Sequence, residues 1–416
     1  STGFLFSIPL VTPTFLTKKM KVLGLFLLVL PSVSAFSPLG WCGDLGVRRL
    51  TTASLAARVQ GASKHFVLHG SPSGWRAAHL QTKQSGVRRG VAGINMGGDP
   101  GDMIFSQESE CGAGSVQVWE RDFEEEAGKV MRTLWFSGSP EVWQSAVVLN
   151  KEDSVPDFKR APTFHSCKGL ALAAALPPSV KNILLIGLGG GALAGWLLEN
   201  HAELERLVAC DLDPAVAVAA QRCFLGSYGE DSRLEIHVGD GVEYAKQDDA
   251  GKFDLIIVDA SESAETGSDD GAAALGVWAP PRVLRTVACY QALREVMNEN
   301  GVLAVNVLAR DPIDMLDYIS LVNASFPGRI AFLENRDGSH SWMVTPDNKI
   351  VFAACSSAAT FLNEEGMADR VLAYQEHVPA SKDLELSARV RKEFTTVDNL
   401  CDRAQQLRVY RSNHKL

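Results

Sequence analysis

The chain has 416 residues, of which 46% are apolar, and carries a formal net charge of −9 at pH 7. This length exceeds one typical domain, and the apolar fraction is ample for a packed core. The acidic balance argues against general nucleic-acid binding, which normally shows as a basic excess. The eight cysteines are scattered without a CxxC pair, so neither a disulfide framework nor a metal site is expected.

The first 102 residues have the composition of a targeting presequence followed by a glycine-rich linker. Met20 is the expected start, and the apolar stretch after it ends in small residues before Phe36, which is the shape of a signal peptide. Between Phe36 and Gly98 the chain is basic with one acid, Asp44, as in an organelle transit peptide. The combination resembles the bipartite presequence of algae with complex plastids. We therefore expect a plastid protein, with the secretory pathway or the mitochondrion as alternatives.

The remaining chain divides by its pattern of apolar runs. Runs at 115–120, 130–137 and 141–149 are separated by turn residues and predict a small antiparallel sheet in a domain at 103–160. From 161 to 356, seven strand-like runs alternate mostly with helical stretches, which predicts a parallel sheet with helices on both faces. The last two runs lack a helix-length connection, so an antiparallel hairpin is expected there. Residues 357–416 are charged and helical in pattern and predict a surface appendage.

One stretch, 181–213, organises the larger domain. An apolar strand ends in a cluster of glycines, Gly187, Gly189, Gly190 and Gly191, and a helical stretch and a second strand follow. Glycine allows a ligand to approach the backbone where a Cβ would clash. Strand, glycine turn, helix, strand and acid form the first half of a Rossmann-type nucleoside site.

Acidic residues follow three successive strands of this domain. Asp211 and Asp213 close the second strand, Asp240 and Gly241 follow the third, and Asp259 follows the fourth. The carboxyl ends of parallel strands line one crevice, so these acids are expected to lie together. This set is typical of enzymes that bind adenosylmethionine, and a dinucleotide such as NAD or FAD is the alternative. For the first three acids, helix capping is the competing interpretation.

Residues 115–355 resemble the spermidine-synthase-like branch of the adenosylmethionine-binding fold, and within it the elongation factor 1-alpha methyltransferases. The matching stretches are RTLWFSGSPEVWQSAVVL, NILLIGLGGGAL, DLDPAVAVAAQRCF, GDGVEY, FDLIIVDA, GVLAVNVLARD and NKIVFAAC. The resemblance implies an α/β fold, with a Rossmann-like seven-stranded methyltransferase sheet and a small N-terminal antiparallel β domain.

The same resemblance implies the cofactor S-adenosyl-L-methionine and a role for each matching residue. Gln144 is expected against the cofactor, Asp211 at the ribose, Asp240 at the adenine and Asp259 beside the reacting centre. The expected cofactor-binding residues are Gln144, Gly187, Gly189, Gly190, Gly191, Asp211, Asp213, Asp240, Gly241 and Asp259. An exposed strand glutamine is the alternative for Gln144.

Two departures from the aminopropyltransferases favour methyl transfer. Those enzymes carry an aspartate inside the glycine turn and an Asp-Ser-x-Asp-Pro run after the fourth strand. This chain has no acid in the turn, and Asp259-Ala-Ser-Glu262 follows the strand. A polyamine needs several placed carboxylates, so their loss argues against it as a substrate. An aminopropyltransferase would need acids from elsewhere, such as Asp269 and Asp270.

The expected catalytic residues are Asp259 first and then Glu262, because a carboxylate can accept the proton of an attacking amine. For Glu262, a solvated loop acid is the competing interpretation. The small-residue loop at 261–279 is expected to close over the crevice. The expected partner is a protein or small amine substrate, with no nucleic acid, no membrane in the mature form, and a homodimer left open. A non-catalytic nucleoside-binding protein is the third hypothesis.

Overall fold

The computed structural model describes residues 100–140, 142–261, 277–334, 347–356 and 362–414. Residues 1–99 of the expected presequence and linker lie outside these ranges, as do Glu262, Asp269, Asp270 and most of the predicted loop at 261–279. Among the described residues, no helix combines the length and apolarity that crossing a bilayer requires.

The N-terminal part is a four-stranded antiparallel sheet in the order β1-β2-β3-β4. Its strands are β1 (Asp102–Glu108), β2 (Ser115–Asp122), β3 (Lys129–Phe136) and β4 (Trp143–Asn150). The predicted small antiparallel sheet is thus confirmed, with β1 as a strand that the sequence pattern did not indicate. One face is apolar because Val116, Val118 and Leu134 alternate with polar or half-buried neighbours and join the main core.

The larger part is a mixed sheet in the order β13-β11-β12-β10-β8-β5-β6-β7, and β9 pairs with β10 off this path. Its strands are β5 (Asn182–Ile186), β6 (Arg206–Asp211), β7 (Leu234–Val238), β8 (Phe253–Val258), β9 (Val277–Ala279), β10 (Met297–Ala309), β11 (Ile330–Glu334), β12 (Asp347–Ala354) and β13 (Phe394–Thr395). From β7 to β10 neighbouring strands are parallel, whereas β11 and β12 form an antiparallel pair. The seven predicted strands are therefore confirmed, and the sheet gains two short ones.

Helices cover both faces of this sheet. They are α1 (His165–Leu172), α2 (Ala192–Asn200), α3 (Pro214–Ala219), α4 (Gly241–Ala245), α5 (Val287–Glu295), α6 (Pro312–Asn323), α7 (Glu364–His377), α8 (Leu386–Glu393) and α9 (Val397–His414). Alternate residues of β5 face opposite sides: Leu185 packs in the layer with Trp196, and Leu184 packs in the layer with Tyr290. A strand buried on both faces reads as a continuous apolar run, which is why the sequence pattern located it.

One prediction about the elements is wrong. The segment after Glu364 is more than a helical surface appendage, because Phe394 and Thr395 pair with β11 and add a strand to the sheet edge. Val390 and Leu400 of this segment are fully buried in the two cores. The charged pattern of the sequence indicated only the solvent-exposed face of this C-terminal segment.

Candidate active site

The glycine turn after β5 is tied to the end of β6 by the carboxylate of Asp211. Its Oδ2 accepts hydrogen bonds from the backbone N–H groups of Leu188 (3.0 Å) and Gly189 (3.3 Å), and its Oδ1 accepts one from Asp213 (3.1 Å). Burial raises the pKa of Asp211, and these three N–H donors oppose that rise by favouring the charged form. The result is a fixed carboxylate at the carboxyl edge of the sheet, and its contact with ribose hydroxyls stays a prediction.

Close packing explains the glycines of the turn. Gly187 has a φ of +99°, and a Cβ there would lie 2.2 Å from the carbonyl oxygen of Asp259. A Cβ at Gly190 would lie 2.9 Å from Oγ of Ser145 on β4. The turn therefore lies between the fourth parallel strand and the N-terminal sheet. Packing within the protein therefore requires glycine at these two positions. A ligand contact at the turn stays a prediction.

Strand β4 brings Gln144 to the turn. A Cβ at Gly189 would lie 3.8 Å from the backbone oxygen of Gln144, and the glutamine is half-buried beside it. The simple exposed-strand interpretation of Gln144 is therefore wrong. Its contact with a cofactor stays a prediction.

Asp213 and Asp240 cap helices, as the competing interpretation proposed. Asp213 Oδ1 accepts from the N–H of Ala215 (2.9 Å) at the start of α3, and its Oδ2 accepts from the hydroxyl of Ser109 (2.5 Å). Asp240 Oδ1 accepts from the N–H groups of Val242 (2.7 Å) and Glu243 (3.3 Å) at the start of α4. Asp213 is buried with both oxygens in use, whereas Oδ2 of Asp240 takes no part in these caps. Capping and the predicted adenine contact are compatible for Asp240.

Two further features place these residues around one crevice. The N–H of Gly239, just before Asp240, donates to the backbone oxygen of Asp211 at 2.8 Å. A Cβ at Gly241 would lie 2.7 Å from Cγ1 of Ile186, so α4 begins in close contact with the end of β5. Between the first two acids, the apolar side chain of Leu212 is 58% exposed.

On the acceptor side, Asp259 is held by side chains. The amide of Asn306 donates from Nδ2 to Oδ1 of Asp259 at 2.9 Å, and the thiol of Cys167 lies 3.9 Å from Oδ2. The amide of Asn348 donates to Oδ1 of Asn306 at 3.1 Å, so a polar chain crosses β8, β10 and β12. Asn306 is buried, and an amide is buried at low cost only when it is hydrogen-bonded.

Burial raises the pKa of Asp259, although the hydrogen bonds from Asn306 and Cys167 oppose the shift. Burial, and then the nearby charge of Asp259, raise the pKa of the Cys167 thiol well above its usual range. The thiol therefore stays protonated and acts as a donor. A desolvated carboxylate held by neutral donors is suited to accept a proton from a bound amine.

Sequence reasoning missed Asn306, Cys167 and Ser109 as parts of this site. The sequence signal for Asn306 was a lone amide inside an apolar strand, Val-Leu-Ala-Val-Asn-Val-Leu-Ala. Glu262 lies outside the described residues. Within the part of the chain that the structure describes, no group of three or more His, Cys, Asp and Glu side chains is arranged to hold a metal ion.

Comparison with known proteins finds a matching family model and similar proteins of known name. Residues 170–312 match the family model of the spermine/spermidine synthase domain. The chain is similar to the eEF1A lysine and N-terminal methyltransferase of Xenopus laevis, 27% identical over 165 residues, which cover 38% of this chain and 22% of that protein. It is also similar to the Mus musculus protein of the same name, 23% identical over 320 residues, which cover 68% of this chain and 44% of that protein. The chain thus spans less than half the length of these relatives.

Among solved structures, a probable spermidine synthase from Corynebacterium glutamicum aligns with a TM-score of 0.47 and 14% identity. The alignment covers 65% of this chain and 87% of that one. With the sheet order and the family model together, the resemblance expected from the sequence is confirmed. The likeness to the spermine/spermidine synthase domain covers residues 170–312.

Proposed function

We propose that this protein is an S-adenosyl-L-methionine-dependent methyltransferase of the spermidine-synthase-like branch, acting on an amine of a protein substrate. The observation that carries the proposal is the surroundings of Asp259, whose side-chain partners are an amide and a thiol. A polyamine substrate is a polycation and requires several carboxylates at its binding site. Among the described residues, Asp259 is a desolvated carboxylate with neutral side-chain partners, which suits a single amine. The names of the Xenopus and mouse relatives support protein as the substrate class.

Different residues would bind the cofactor and accept the proton. The glycine turn and Asp211 would hold the nucleoside, with Gln144 and Asp240 as further contacts. S-adenosyl-L-methionine supplies an already activated methyl group, so alignment is the main task of the protein. Asp259 would accept the proton of the attacking amine, and its raised pKa brings it closer to neutral pH, where general bases are most effective.

Calorimetric titration with adenosylmethionine and with its decarboxylated form tests the cofactor. We expect the carboxylated form to bind more tightly, and the Asp211→Ala variant to lose that binding. Incubation with labelled-methyl cofactor and elongation factor 1-alpha then tests the substrate. Mass spectrometry of the product would show whether a lysine or the N-terminus is modified. Binding of neither cofactor would overturn the proposal and leave a non-catalytic fold.

An aminopropyltransferase is the second candidate, because the matching family model is that of spermine and spermidine synthases. In that case the decarboxylated cofactor would bind more tightly and putrescine or spermidine would be consumed. The sequence left a homodimer open, and the small-amine substrate stays a prediction from the sequence.

We further propose that the presequence at 1–102 directs the protein to a plastid. Support comes from its composition alone, namely an apolar signal-like stretch, Phe36, and an acid-poor basic region. A fluorescent fusion of these residues, expressed in an alga with complex plastids, tests the proposal. Phe36→Ala is expected to retain the fusion outside the plastid, whereas secretion or mitochondrial import of the parent fusion would refute it.

A further inference from the structure

The segment from Leu386 to His414, which we call the C-terminal arm, is attached to the ligand side of the sheet by arginines. Arg403 donates to both carboxylate oxygens of Glu334, the last residue of β11. Arg411 contacts Oδ2 of Asp311, just after β10, at 2.7 Å. Strands β10 and β11 are both antiparallel to β12, so they end at the same edge of the sheet. That edge also carries Asp259, at the end of β8.

A third arginine of the arm, Arg389, reaches the helix beside Asp259. Its Nη1 donates to the backbone oxygen of His165 at 2.9 Å, and its Nη2 donates to Glu393 at 3.0 Å. Oε1 of Glu393 lies 3.2 Å from Nε2 of His165, which closes the cluster. The side chains of Arg389 and Glu393 are only 7% and 4% exposed. Removing one partner of a buried ion pair leaves an uncompensated buried charge.

This cluster fixes the first turn of α1. Among the described residues, no side chain caps the start of the helix at Phe164. The hydrogen bond from Arg389 to the backbone oxygen of His165 therefore stabilises this turn from a distant part of the chain. A Cβ at Gly169 would lie 2.7 Å from Cγ1 of Ile350 and 3.2 Å from Nη2 of Arg389. The helix is thereby confined between β12 and the arm. Cys167, two residues from both contact points, donates toward Asp259.

We infer that Arg389 and Glu393 are positioning residues for the acceptor side of the active site, acting through α1 and Cys167 on Asp259. The expected effect on catalysis rests on the proposed function. The expected effect on the reactivity of Cys167 rests on the geometry alone. The C-terminal arm then contributes to the acceptor side of the active site, whereas the glycine turn and Asp211 on the cofactor side are independent of it.

The test uses the full chain with the double variant Arg389→Met/Glu393→Leu, which replaces the pair with apolar groups of similar size and so avoids an unpaired buried charge. The matched control is Arg233→Met. Arg233 also joins a backbone carbonyl, that of Leu198 (2.8 Å), to a carboxylate, Asp231 (2.7 Å), but precedes β7 at the opposite edge of the sheet. The readouts are affinity for adenosylmethionine, kcat and KM for methyl transfer, and the rate at which iodoacetamide alkylates Cys167, followed by mass spectrometry.

We expect the double variant to lower kcat about 10-fold, since small misplacements of reacting groups have effects of this order or larger. Cofactor affinity should change by less than about 2-fold, and alkylation of Cys167 should accelerate about 10-fold. The control should leave kcat and alkylation unchanged. Unaltered alkylation in a folded double variant would overturn the inference. If the parent protein transfers no methyl group, the proposed function fails, and the alkylation rates still decide the positioning role.

Discussion

The two sides of the candidate active site hold their carboxylates in different ways. On the cofactor side, Asp211, Asp213 and Asp240 accept hydrogen bonds from backbone N–H groups, most of them within a few residues in sequence. On the acceptor side, Asp259 is held by Cys167 and Asn306, which are 92 and 47 residues away. Backbone donors are available whatever the neighbouring side chains are. The carboxylates of the cofactor side therefore depend mainly on backbone donors, with the Ser109 hydroxyl on Asp213 as the exception, whereas Asp259 depends on a few distant side chains.

Asp259→Asn is expected to have the largest effect and to separate the two sides, because it should change turnover but not cofactor affinity. The variant keeps the shape but cannot accept the proton of the amine, so kcat should fall by about 10²- to 10⁴-fold. Calorimetry should show nearly unchanged affinity for adenosylmethionine, because Asp211 and the glycine turn remain. A large loss of cofactor affinity with unchanged turnover would place Asp259 on the cofactor side instead.

Gly187→Ala tests the point where the two sides meet. The positive φ and the 2.2 Å approach to the oxygen of Asp259 leave no room for a Cβ. We expect the free energy of unfolding to fall by about 3 kcal/mol, from backbone strain and overpacking together. Gly128→Ala is the matched control, because Gly128 has a φ of +81° but nothing within 4 Å of its Cβ position. Urea denaturation of both variants measures the difference, and equal losses would mean that φ alone requires glycine.

Asn306→Ala should change the pH dependence of kcat through its effect on Asp259. The amide of Asn306 favours the charged form of Asp259, so its removal raises the pKa of Asp259 further. A general base works when deprotonated, so activity is lost as pH falls through this pKa, and the variant should lose activity at a higher pH. Each unit of displacement corresponds to about 10-fold lower kcat on the acid limb. A pH–rate profile measures this, with Asn306→Gln as the variant that restores the amide. An unmoved acid limb would remove Asn306 from the control of Asp259.

The smallest effect is expected from the helix cap on the cofactor side. Asp240→Ala removes the N-cap of α4 and should lower the free energy of unfolding by about 1 kcal/mol. Asp240→Asn retains a capping oxygen and serves as the control. If Asp240 also binds the adenine, the alanine variant should lose cofactor affinity by about 10-fold, which corresponds to one hydrogen bond to a charged group. Unchanged affinity would assign Asp240 to capping alone.

The sequence by itself determined the seven main strands, the glycine turn and the acids at the strand ends. These features are local: a strand buried on both faces is a continuous apolar run, and a tight turn at a ligand needs glycine. The capping interpretation of Asp213 was likewise readable, because Asp-Pro is a helix start. For the same reason the family resemblance could be recognised from short stretches.

Only the tertiary structure decided what surrounds Asp259 and what the C-terminal arm does. Asn306 looks like an interruption of an apolar strand, and Cys167 looks like a small core residue, until the sheet brings both to one carboxylate. Arg389 and Glu393 lie in a charged helix whose pattern indicates a solvated surface, yet both are buried against α1. The physical reason is that these contacts join residues up to 224 positions apart, so no local pattern records them.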